Sequence, residues 1–355
     1  MRICVLTHTL NPRTGVGVLT NNIIDGIRKV NQDINFSVLT SEDYIKPSVY
    51  EIIKNWRHIR EEIKSSDIVH AIDTYPYGVI ACIANFRASK PVIITAVGSG
   101  SVRMLEGFGW KSFLLRWAYR RADSLTAISN YVANEVKKTL PNLSIEVINP
   151  SVDYEFYSKE DNKKHPSALE GRYIITQGEF KERKGYEEIL PIMKKIMAVS
   201  DVKYVIVGNT GQNREYQEKL YKIMKDLGIR EKIFIRTNLS REELRALYKN
   251  AILYLTLPKN VKGDIEGYGM AIVEAAATGT PAVVGLGSGA DDTVNDGESG
   301  FLIKGENSEE VKERILSIID NSKLQEKLSI GAQNLAKGNS PENKAKKYIE
   351  IYERI

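Results

Sequence analysis

Two glutamates, Glu266 and Glu274, stand eight positions apart in a glycine-containing segment that runs into a helix-forming stretch. Glycines let a backbone approach a ligand closely, and the first N–H groups of a helix point outward and attract oxyanions. We therefore expect a site for a sugar-phosphate compound, with Glu266 in a loop and Glu274 about one turn into the helix. The other residues of this site are Gly267, Tyr268, Gly269 and Met270. The alternative is an ordinary acidic helix start, with Gly279 as the C-cap and Pro281 ending the helix.

A basic turn, bracketed by Gly178 and Gly185, follows an apolar run in the second half of the chain. Arg183 and Lys184 lie at its tip, just after a predicted strand. Cations in that position would face phosphates held by the helix start behind Glu266. A solvated charged turn is the alternative.

A second glycine pair, Gly15 and Gly17, opens a predicted helix directly after the first apolar run. No third glycine arrives three residues later, so the dinucleotide-binding fingerprint is absent. The pair predicts a backbone-lined loop for a diphosphate or a sugar, with a plain strand-to-helix turn as the alternative.

Three polar side chains in the first half, Asp73, Tyr75 and Ser129, follow predicted strands and are our candidates for binding an acceptor substrate. His70 lies inside a strand, and we expect it to be a core histidine rather than a base.

The segment from 107 to 121 combines aromatic and basic residues at helical spacing. Its apolar members are Trp110, Phe113, Leu114 and Trp117, and its basic members are Lys111, Arg116, Arg120 and Arg121. Such a helix can lie in an anionic membrane interface. A crossover helix that packs its apolar stripe against a sheet has the same pattern, and we favour that interpretation.

The composition indicates a two-domain protein of a reducing compartment. Its 355 residues, 42% of them hydrophobic, are enough for two cores. Cys4 and Cys82 have neither a disulfide nor a metal-ligand spacing, which fits the cytoplasm. The N-terminal apolar run is too short for a signal peptide or a membrane span. We expect a cytoplasmic protein, with membrane association as an open alternative.

The net charge of +5 is unevenly distributed. Up to Pro150 the sequence has 18 Lys and Arg against 13 Asp and Glu, and the remainder has 32 of each. This asymmetry indicates an anionic surface or substrate on the side of the first half. We expect no nucleic-acid partner.

Short β-rich runs alternate with helical patterns along the chain, which predicts parallel sheets with helices on both faces. The runs of the first half span 2–7, 35–40, 67–71, 91–95, 124–128 and 145–149, and those of the second half span 173–177, 203–207, 232–236, 252–256, 281–284 and 300–303. We therefore predict an α/β protein with two Rossmann-like parallel-sheet domains facing a central cleft. Functional residues should follow the carboxyl ends of the strands.

The predicted domain boundary is a polar stretch without a hydrophobic period. We assign the N-terminal domain to 1–157, a linker to 158–171, the C-terminal domain to 172–335 and a last helix to 336–355. We expect that helix to pack back on the N-terminal domain.

Taken together, these features resemble the retaining glycosyltransferases of family 4, which have the GT-B fold. The resemblance covers essentially the whole chain. Its signature is the Glu-x7-Glu spacing in EGYGMAIVEAAATGTP, followed by GSGADDTVNDGESGFLI. Supporting matches are TGVG, ADSLTAIS, VINPSVD, RKG at 183–185 and VGNTG at 207–211.

The resemblance implies roles for the residues above. Glu266 would contact the donor sugar, Glu274 the nucleotide ribose, and Lys184 with Arg183 the diphosphate, while the loop from Gly15 to Gly17 would close over the donor. It also implies a hexosyltransferase that uses a UDP- or GDP-linked sugar, with no cofactor and an unknown lipid or glycan acceptor. No D-x-D motif stands at a strand end, so we predict no metal site and metal-independent activity.

Three positions depart from the family's pattern: Glu179 where Arg is usual, Val97 where His is common, and Ser151 where Gly is usual. Glu179 would bring a negative charge to the diphosphate, and Val97 removes a polar contact to the donor sugar. These departures support one alternative, a non-catalytic nucleotide-sugar-binding subunit that regulates a partner transferase. A dehydrogenase is excluded because neither half carries G-x-G-x-x-G with its following acid.

Overall fold

The computed structural model describes residues 1–12, 14–46, 48–160, 169–208, 213–304 and 307–355. Its strands are β1 (Arg2–Thr7), β2 (Asn35–Thr40), β3 (Ile68–Ile72), β4 (Val92–Ala96), β5 (Ser124–Ala127), β6 (Glu146–Val147), β7 (Tyr173–Gln177), β8 (Lys203–Val207), β9 (Ile233–Arg236), β10 (Leu253–Thr256), β11 (Ala282–Gly285) and β12 (Gly300–Ile303). Each predicted run overlaps one of these strands, and β3, β4 and β11 extend one residue beyond their runs.

Helices connect nearly all consecutive strands. They are α1 (Gly15–Val30), α2 (Val49–Lys54), α3 (Trp56–Lys64), α4 (Val79–Ala84), α5 (Ser99–Val102), α6 (Trp110–Arg121), α7 (Asn130–Thr139), α8 (Tyr154–Ser158), α9 (Tyr186–Met197), α10 (Arg214–Asp226), α11 (Arg241–Asn250), α12 (Met270–Ala277), α13 (Ser308–Asp320), α14 (Ser322–Gly338) and α15 (Pro341–Arg354). Short helical turns lie at Thr74–Gly78, Asn85–Arg87, Glu182–Lys184, Arg230–Lys232 and Gly289–Thr293.

The strands form two six-stranded sheets, in the orders β2-β1-β3-β4-β5-β6 and β12-β11-β10-β7-β8-β9. All strand pairs within them are parallel. Central strands such as β3 and β4 are buried along their whole length, because helices cover both faces of a parallel sheet. This is the predicted α/β architecture.

The chain divides into two compact units, each built around one sheet. Unit 1 comprises Met1–Ser151, Lys262–Gly267 and Asn339–Ile355, and unit 2 comprises Val152–Val261 and Tyr268–Gly338. The boundary at Ser151 differs from the predicted 157, because α8 packs against α12 of unit 2. Residues 161–168 of the predicted linker lie outside the described residues.

The last helix completes unit 1. α15 packs against α1, and the approach is so close that a Cβ atom on Gly26 would lie 2.8 Å from the carbonyl oxygen of Pro341. The Tyr352 hydroxyl lies 2.8 Å from Nδ1 of His70 on β3. His70 is fully buried, its Nε2 lies 2.7 Å from the Thr95 hydroxyl, and burial lowers its pKa to about 3. His70 is therefore a neutral core histidine, as predicted.

Candidate functional site

The loops of unit 2 that carry predicted site residues follow the neighbouring strands β7 and β10. From β7 the chain continues to β8 on one side, whereas β10 pairs with β7 on the other side. Such a topological switch point is where open α/β sheets bind ligands. The basic turn follows β7, and the segment leading to α12 follows β10.

The basic turn is packed tightly against the end of β10. Gly185 has a φ of +71°, and a Cβ atom there would lie 1.9 Å from the carbonyl oxygen of Leu257. The N–H of Lys259 donates to the carbonyl of Arg183 at 2.9 Å. The side chain of Lys184 lies over Gly178. Glycine is thus required at 185, and the turn holds Arg183 and Lys184 at the switch point.

Glu179 forms ion pairs within this turn. Its Oε2 lies 2.7 Å from Nζ of Lys181 and 3.8 Å from Nη2 of Arg183. Partial burial tends to raise the pKa of Glu179, but the Lys181 hydrogen bond and the charges of Lys181, Arg183 and Lys184 hold it below the usual value. Glu179 is therefore ionised and paired with cations of the basic turn.

The helix α12 begins without a side-chain cap. Its N-cap is Gly269, with a φ of +91°, which favours glycine. The first N–H groups of a helix have no intrahelical partner, so this start presents donors to an anion. The side chain of Tyr268 is buried. The C-cap of α12 is Thr278 rather than Gly279, which follows it with a φ of +88°.

Glu274 lies one turn into α12 among tyrosines. Its carboxyl accepts hydrogen bonds from the hydroxyls of Tyr157 and Tyr248. Burial raises the pKa of Glu274 to about 7, opposed by these hydrogen bonds and by the charge of Arg241. The hydroxyl of Tyr248 also bonds to Oε1 of Gln177, the last residue of β7. Glu274 and the basic turn thus belong to the same edge of the sheet.

In unit 1 the switch point lies between β1 and β3. Gly15 and Gly17 follow β1 and open α1, whose N-cap is Thr14. The N–H of Gly17 donates to the Thr14 hydroxyl at 3.1 Å, and a Cβ atom on Gly17 would lie 2.1 Å from the carbonyl oxygen of Asn11. The glycine is required for close packing, and its N–H is used within the loop.

Asp73 follows β3 at the same switch point, in the left-handed region with a φ of +79°. Its Oδ1 accepts hydrogen bonds from the Ser101 hydroxyl at 2.5 Å and from the Thr74 N–H at 2.9 Å. Burial raises the pKa of Asp73 to about 6, against those two hydrogen bonds. The Ser101 hydroxyl in turn accepts from the Val97 N–H at 3.1 Å, so Asp73 is linked to the end of β4.

The segment that carries Glu266 belongs to unit 1. Ser99 fixes it, because its hydroxyl donates to Asp264 at 3.0 Å and accepts from the Ile265 N–H at 3.1 Å. Gly267 lies against the carbonyl oxygen of Val97. Val97, where the family often has His, therefore contacts the glutamate-bearing segment through its backbone.

The other two acceptor candidates have different surroundings. Tyr75 is half-buried, with Nζ of Lys111 5.9 Å from its ring centroid. Ser129 is fully buried and caps α7 by accepting from the Val132 N–H at 3.1 Å. Because that side chain is used inside the fold, we no longer assign Ser129 to the acceptor.

We favoured a helix at 107–121 that packs its aromatic stripe against the sheet. This interpretation is wrong, because the helix buries a different face. The residues of α6 that face the core are Ser112, Leu115, Ala118 and Tyr119. The side chains of Trp110 and Phe113 are 67% and 64% exposed, and Phe108 before the helix is fully exposed. Arg116 points inward and donates to the carbonyls of Leu105 and Gly107 at 2.7 and 2.9 Å.

The sequence analysis missed Tyr157, Tyr248 and His8. Nδ1 of His8, just after β1, lies 2.9 Å from both the Tyr77 hydroxyl and the Ser41 hydroxyl. The position of His8 directly after a strand could have identified it in the sequence. No sequence pattern pointed to Tyr157 or Tyr248, because only the fold brings their hydroxyls to Glu274.

Among the residues that the structure describes, no group of three or more His, Cys, Asp and Glu could hold a metal ion. Within the same ranges, every helix is too short or too polar to span a bilayer. Residues 209–211 of the VGNTG match lie outside the described residues.

The family model for glycosyl transferases group 1 matches residues 158–335, half of the chain. The chain belongs to this family. The model for Glycosyltransferase Family 4 matches residues 16–156, so the two matches cover both units of this group 1 glycosyltransferase.

Individual proteins agree with the family. An uncharacterized glycosyltransferase of Methanocaldococcus jannaschii is 24% identical over 368 residues, which cover 96% of this chain and 95% of the relative. A GDP-mannose-dependent alpha-(1-6)-phosphatidylinositol monomannoside mannosyltransferase of Mycolicibacterium smegmatis is 27% identical over 66% of this chain and 64% of its own. The crystal structure of Anabaena HepE in complex with UDP and glucose superposes with a TM-score of 0.78 at 17% identity, over 100% of both chains. The two parallel sheets therefore form the GT-B fold.

Proposed function

We propose that this protein is a retaining hexosyltransferase that moves a sugar from a UDP- or GDP-linked donor to a lipid or glycan acceptor. The observation that carries the proposal is the switch point of unit 2. There Arg183 and Lys184 supply cations, the glycine-capped start of α12 supplies N–H donors, and Glu274 supplies a hydroxyl acceptor. A diphosphate needs the first two and a ribose needs the third.

The relatives support a nucleotide-sugar donor without fixing its base. HepE was crystallised with UDP and glucose, and the mycobacterial relative is GDP-mannose-dependent by name. We propose that Glu266 orders the donor sugar and that the backbone from Gly267 to Met270 binds the donor. In the reaction the bond from the sugar to the diphosphate breaks and the bond to the acceptor oxygen forms on the same face. The leaving phosphate accepts the acceptor's proton, and no enzymatic base is assigned.

We further propose that the activity needs no metal ion. Arg183, Lys184 and the helix N–H groups would neutralise the leaving diphosphate, as oxyanion stabilisation requires. Activity should then survive excess EDTA. Activity lost in EDTA and restored only by magnesium or manganese would contradict this part of the proposal.

The acceptor proposal concerns unit 1 and the outer face of α6. Helical periodicity brings Trp110, Phe113 and Trp117 to the same side as Arg120 and Arg121. These residues are exposed or half-buried, and aromatic and basic residues together suit an anionic bilayer surface. We propose a cytoplasmic enzyme that contacts such a membrane, where a lipid acceptor would reside; Asp73 and Tyr75 remain our acceptor-binding residues.

Donor turnover by the purified chain tests the function. We expect thermal stabilisation by a UDP- or GDP-sugar, about 2.7 kcal/mol at a hundred times its dissociation constant, and release of the free nucleotide when acceptor is present. Stabilisation without turnover in the presence of lipid and glycan acceptors would favour the regulatory-subunit alternative. No stabilisation by any nucleotide sugar would overturn the proposal.

A further inference from the structure

Glu274 is contacted by α8, a helix to which the sequence analysis gave no role. α8 packs against α12 inside unit 2, and the hydroxyl of its Tyr157 hydrogen-bonds to the Glu274 carboxyl. Tyr157 is buried, and its ring centroid lies 6.4 Å from that of Tyr248 on α11. A helix next to the unit boundary thus reaches the proposed ribose-binding carboxylate.

Two arginines of α11 fix α8 in this position. The guanidinium of Arg241 lies 4.1 Å from the ring centroid of Phe156, and its Nη2 lies 3.2 Å from Oδ2 of Asp153. Arg245 donates to the carbonyl of Phe156 at 3.0 Å, and its guanidinium lies 4.8 Å from the same ring. With the N-cap Asp153 and the adjacent Phe156 both held by α11, the turn of α8 that carries Tyr157 is fixed next to Glu274.

Tyr157 is the hydroxyl whose proton is available to Glu274. A tyrosine has one hydroxyl proton. Tyr248 directs its proton towards Oε1 of Gln177, and the Tyr248 hydroxyl lies farther from Oε2 of Glu274, at 3.5 Å. The titratable or charged groups facing Glu274 are Tyr157 from α8, and Tyr248 and Arg241 from α11.

Building on the proposed function, we propose that Tyr157 is a positioning residue of the donor site, whose hydroxyl orients the Glu274 carboxylate to accept hydrogen bonds from the ribose hydroxyls. Only the ionised carboxylate can accept two such hydrogen bonds. Burial raises the pKa of Glu274 to about 7, so donor affinity should rise with pH through the neutral range. Removing the Tyr157 hydroxyl removes a stabiliser of the ionised form, and the rise should move to higher pH.

The test is binding of UDP-glucose and GDP-mannose to wild type and Tyr157→Phe by calorimetry between pH 6 and 8.5. The diphosphate diester of both probes keeps a constant charge over this range. If Tyr157→Phe raises the pKa of Glu274 by one unit, the variant should bind the probe about fivefold more weakly than wild type at pH 7. At pH 8.5 the difference should be only about 1.3-fold. Glu274→Gln should remove the pH dependence.

Tyr173→Phe is the matched control. Tyr173 is also buried in unit 2, but its hydroxyl donates to the Leu247 carbonyl at 2.7 Å, so its loss should leave the pH profile unchanged. A pH profile of Tyr157→Phe equal to that of wild type, or an equal loss of affinity at every pH, would overturn the positioning role alone. Absence of binding of both probes to wild type at every pH, together with no stabilisation by any other UDP- or GDP-sugar, would overturn the proposed function and this inference together.

Discussion

The backbone of Gly267 lies so close to Val97 that a Cβ atom on the glycine would stand 2.3 Å from the carbonyl oxygen of Val97. The contact holds the segment of Glu266 against the end of β4. Gly267→Ala must displace that segment, and a displacement of about 1 Å in a catalytic group can cost on the order of 10²-fold in rate. We expect a loss of kcat of that size in a donor-turnover assay.

Gly338→Ala is the control for this substitution, because a Cβ atom there meets no atom within 4 Å. Wild-type turnover in Gly267→Ala would show that the contact with Val97 does not set the position of Glu266.

Substitutions of Glu266 and Glu274 should affect different kinetic constants. If Glu266 acts on the reacting sugar, Glu266→Gln should lower kcat by about 10²-fold, whereas Glu274→Gln should raise the donor KM by about tenfold with a smaller effect on kcat. Steady-state kinetics with varied donor measure both constants. Glu350→Gln, on α15, is the control. Wild-type constants in both site variants would refute the assignment.

If the donor diphosphate binds the basic turn, Glu179 competes with it for cations. Glu179→Gln removes the ion pairs with Lys181 and Arg183 and a repulsive charge, so the donor KM should fall by about two- to tenfold. Glu309→Gln is the matched control. Glu309 also pairs with two cations, Lys195 and Lys312, but it lies on α13. A raised donor KM in Glu179→Gln would instead mean that the carboxylate itself contacts the substrate.

The outer face of α6 should bind anionic vesicles. Each Lys or Arg near such a surface contributes about 1 kcal/mol, so Lys111, Arg120 and Arg121 changed together to Ala should weaken co-sedimentation roughly a hundredfold at low salt. Wild-type binding should fall as salt rises. The control is a triple variant that removes the same charge from α1 and α15, by changing Arg28, Lys29 and Lys346 to Ala. Equal binding of wild type to neutral and anionic vesicles, or none, would exclude the membrane contact.

His70 should make unit 1 sensitive to acid. Its pKa is about 3 in the folded state and about 6.5 when unfolded, so the unfolded chain binds the extra proton below pH 6.5. The stability that depends on neutral His70 is therefore complete above pH 6.5 and declines towards pH 3, by up to about 1.4 kcal/mol per pH unit. Urea unfolding should show that the advantage of wild type over His70→Gln shrinks between pH 7.5 and pH 5.

Tyr352→Phe serves as the comparison for His70. It removes the hydrogen bond to His70 without removing the titrating group, so it should cost about 1 to 3 kcal/mol and leave the pH dependence in place. A pH-independent difference between wild type and His70→Gln would contradict a neutral buried His70.

The strands could be predicted because the apolar runs are short, bounded and separated by helical patterns. The Glu266 to Glu274 segment could be located because its glycines and the helix start are local signals, and α12 begins at Met270, where the helix-forming stretch begins. The buried face of α6 could not be predicted from the sequence, because large aromatic residues at helical spacing favour the core by composition alone. The face that α6 buries combines the small residues Ser112 and Ala118 with Leu115 and Tyr119, and this mixture has no clear apolar stripe in the sequence. Tyr157 is 117 positions from Glu274 in sequence, and no local pattern reports such a contact.

The pairing of His70 with Tyr352 also bears on biosynthesis. The two residues are 282 positions apart, so at about 5 to 20 residues per second the ribosome needs roughly 15 to 60 s to make the partner of His70. During that time the sheet of unit 1 lacks the helix that covers it, whereas the strands and helices of unit 2 are made in one continuous stretch apart from six residues. The second unit can therefore be complete before the first, whose packing is finished only when α15 has left the ribosome.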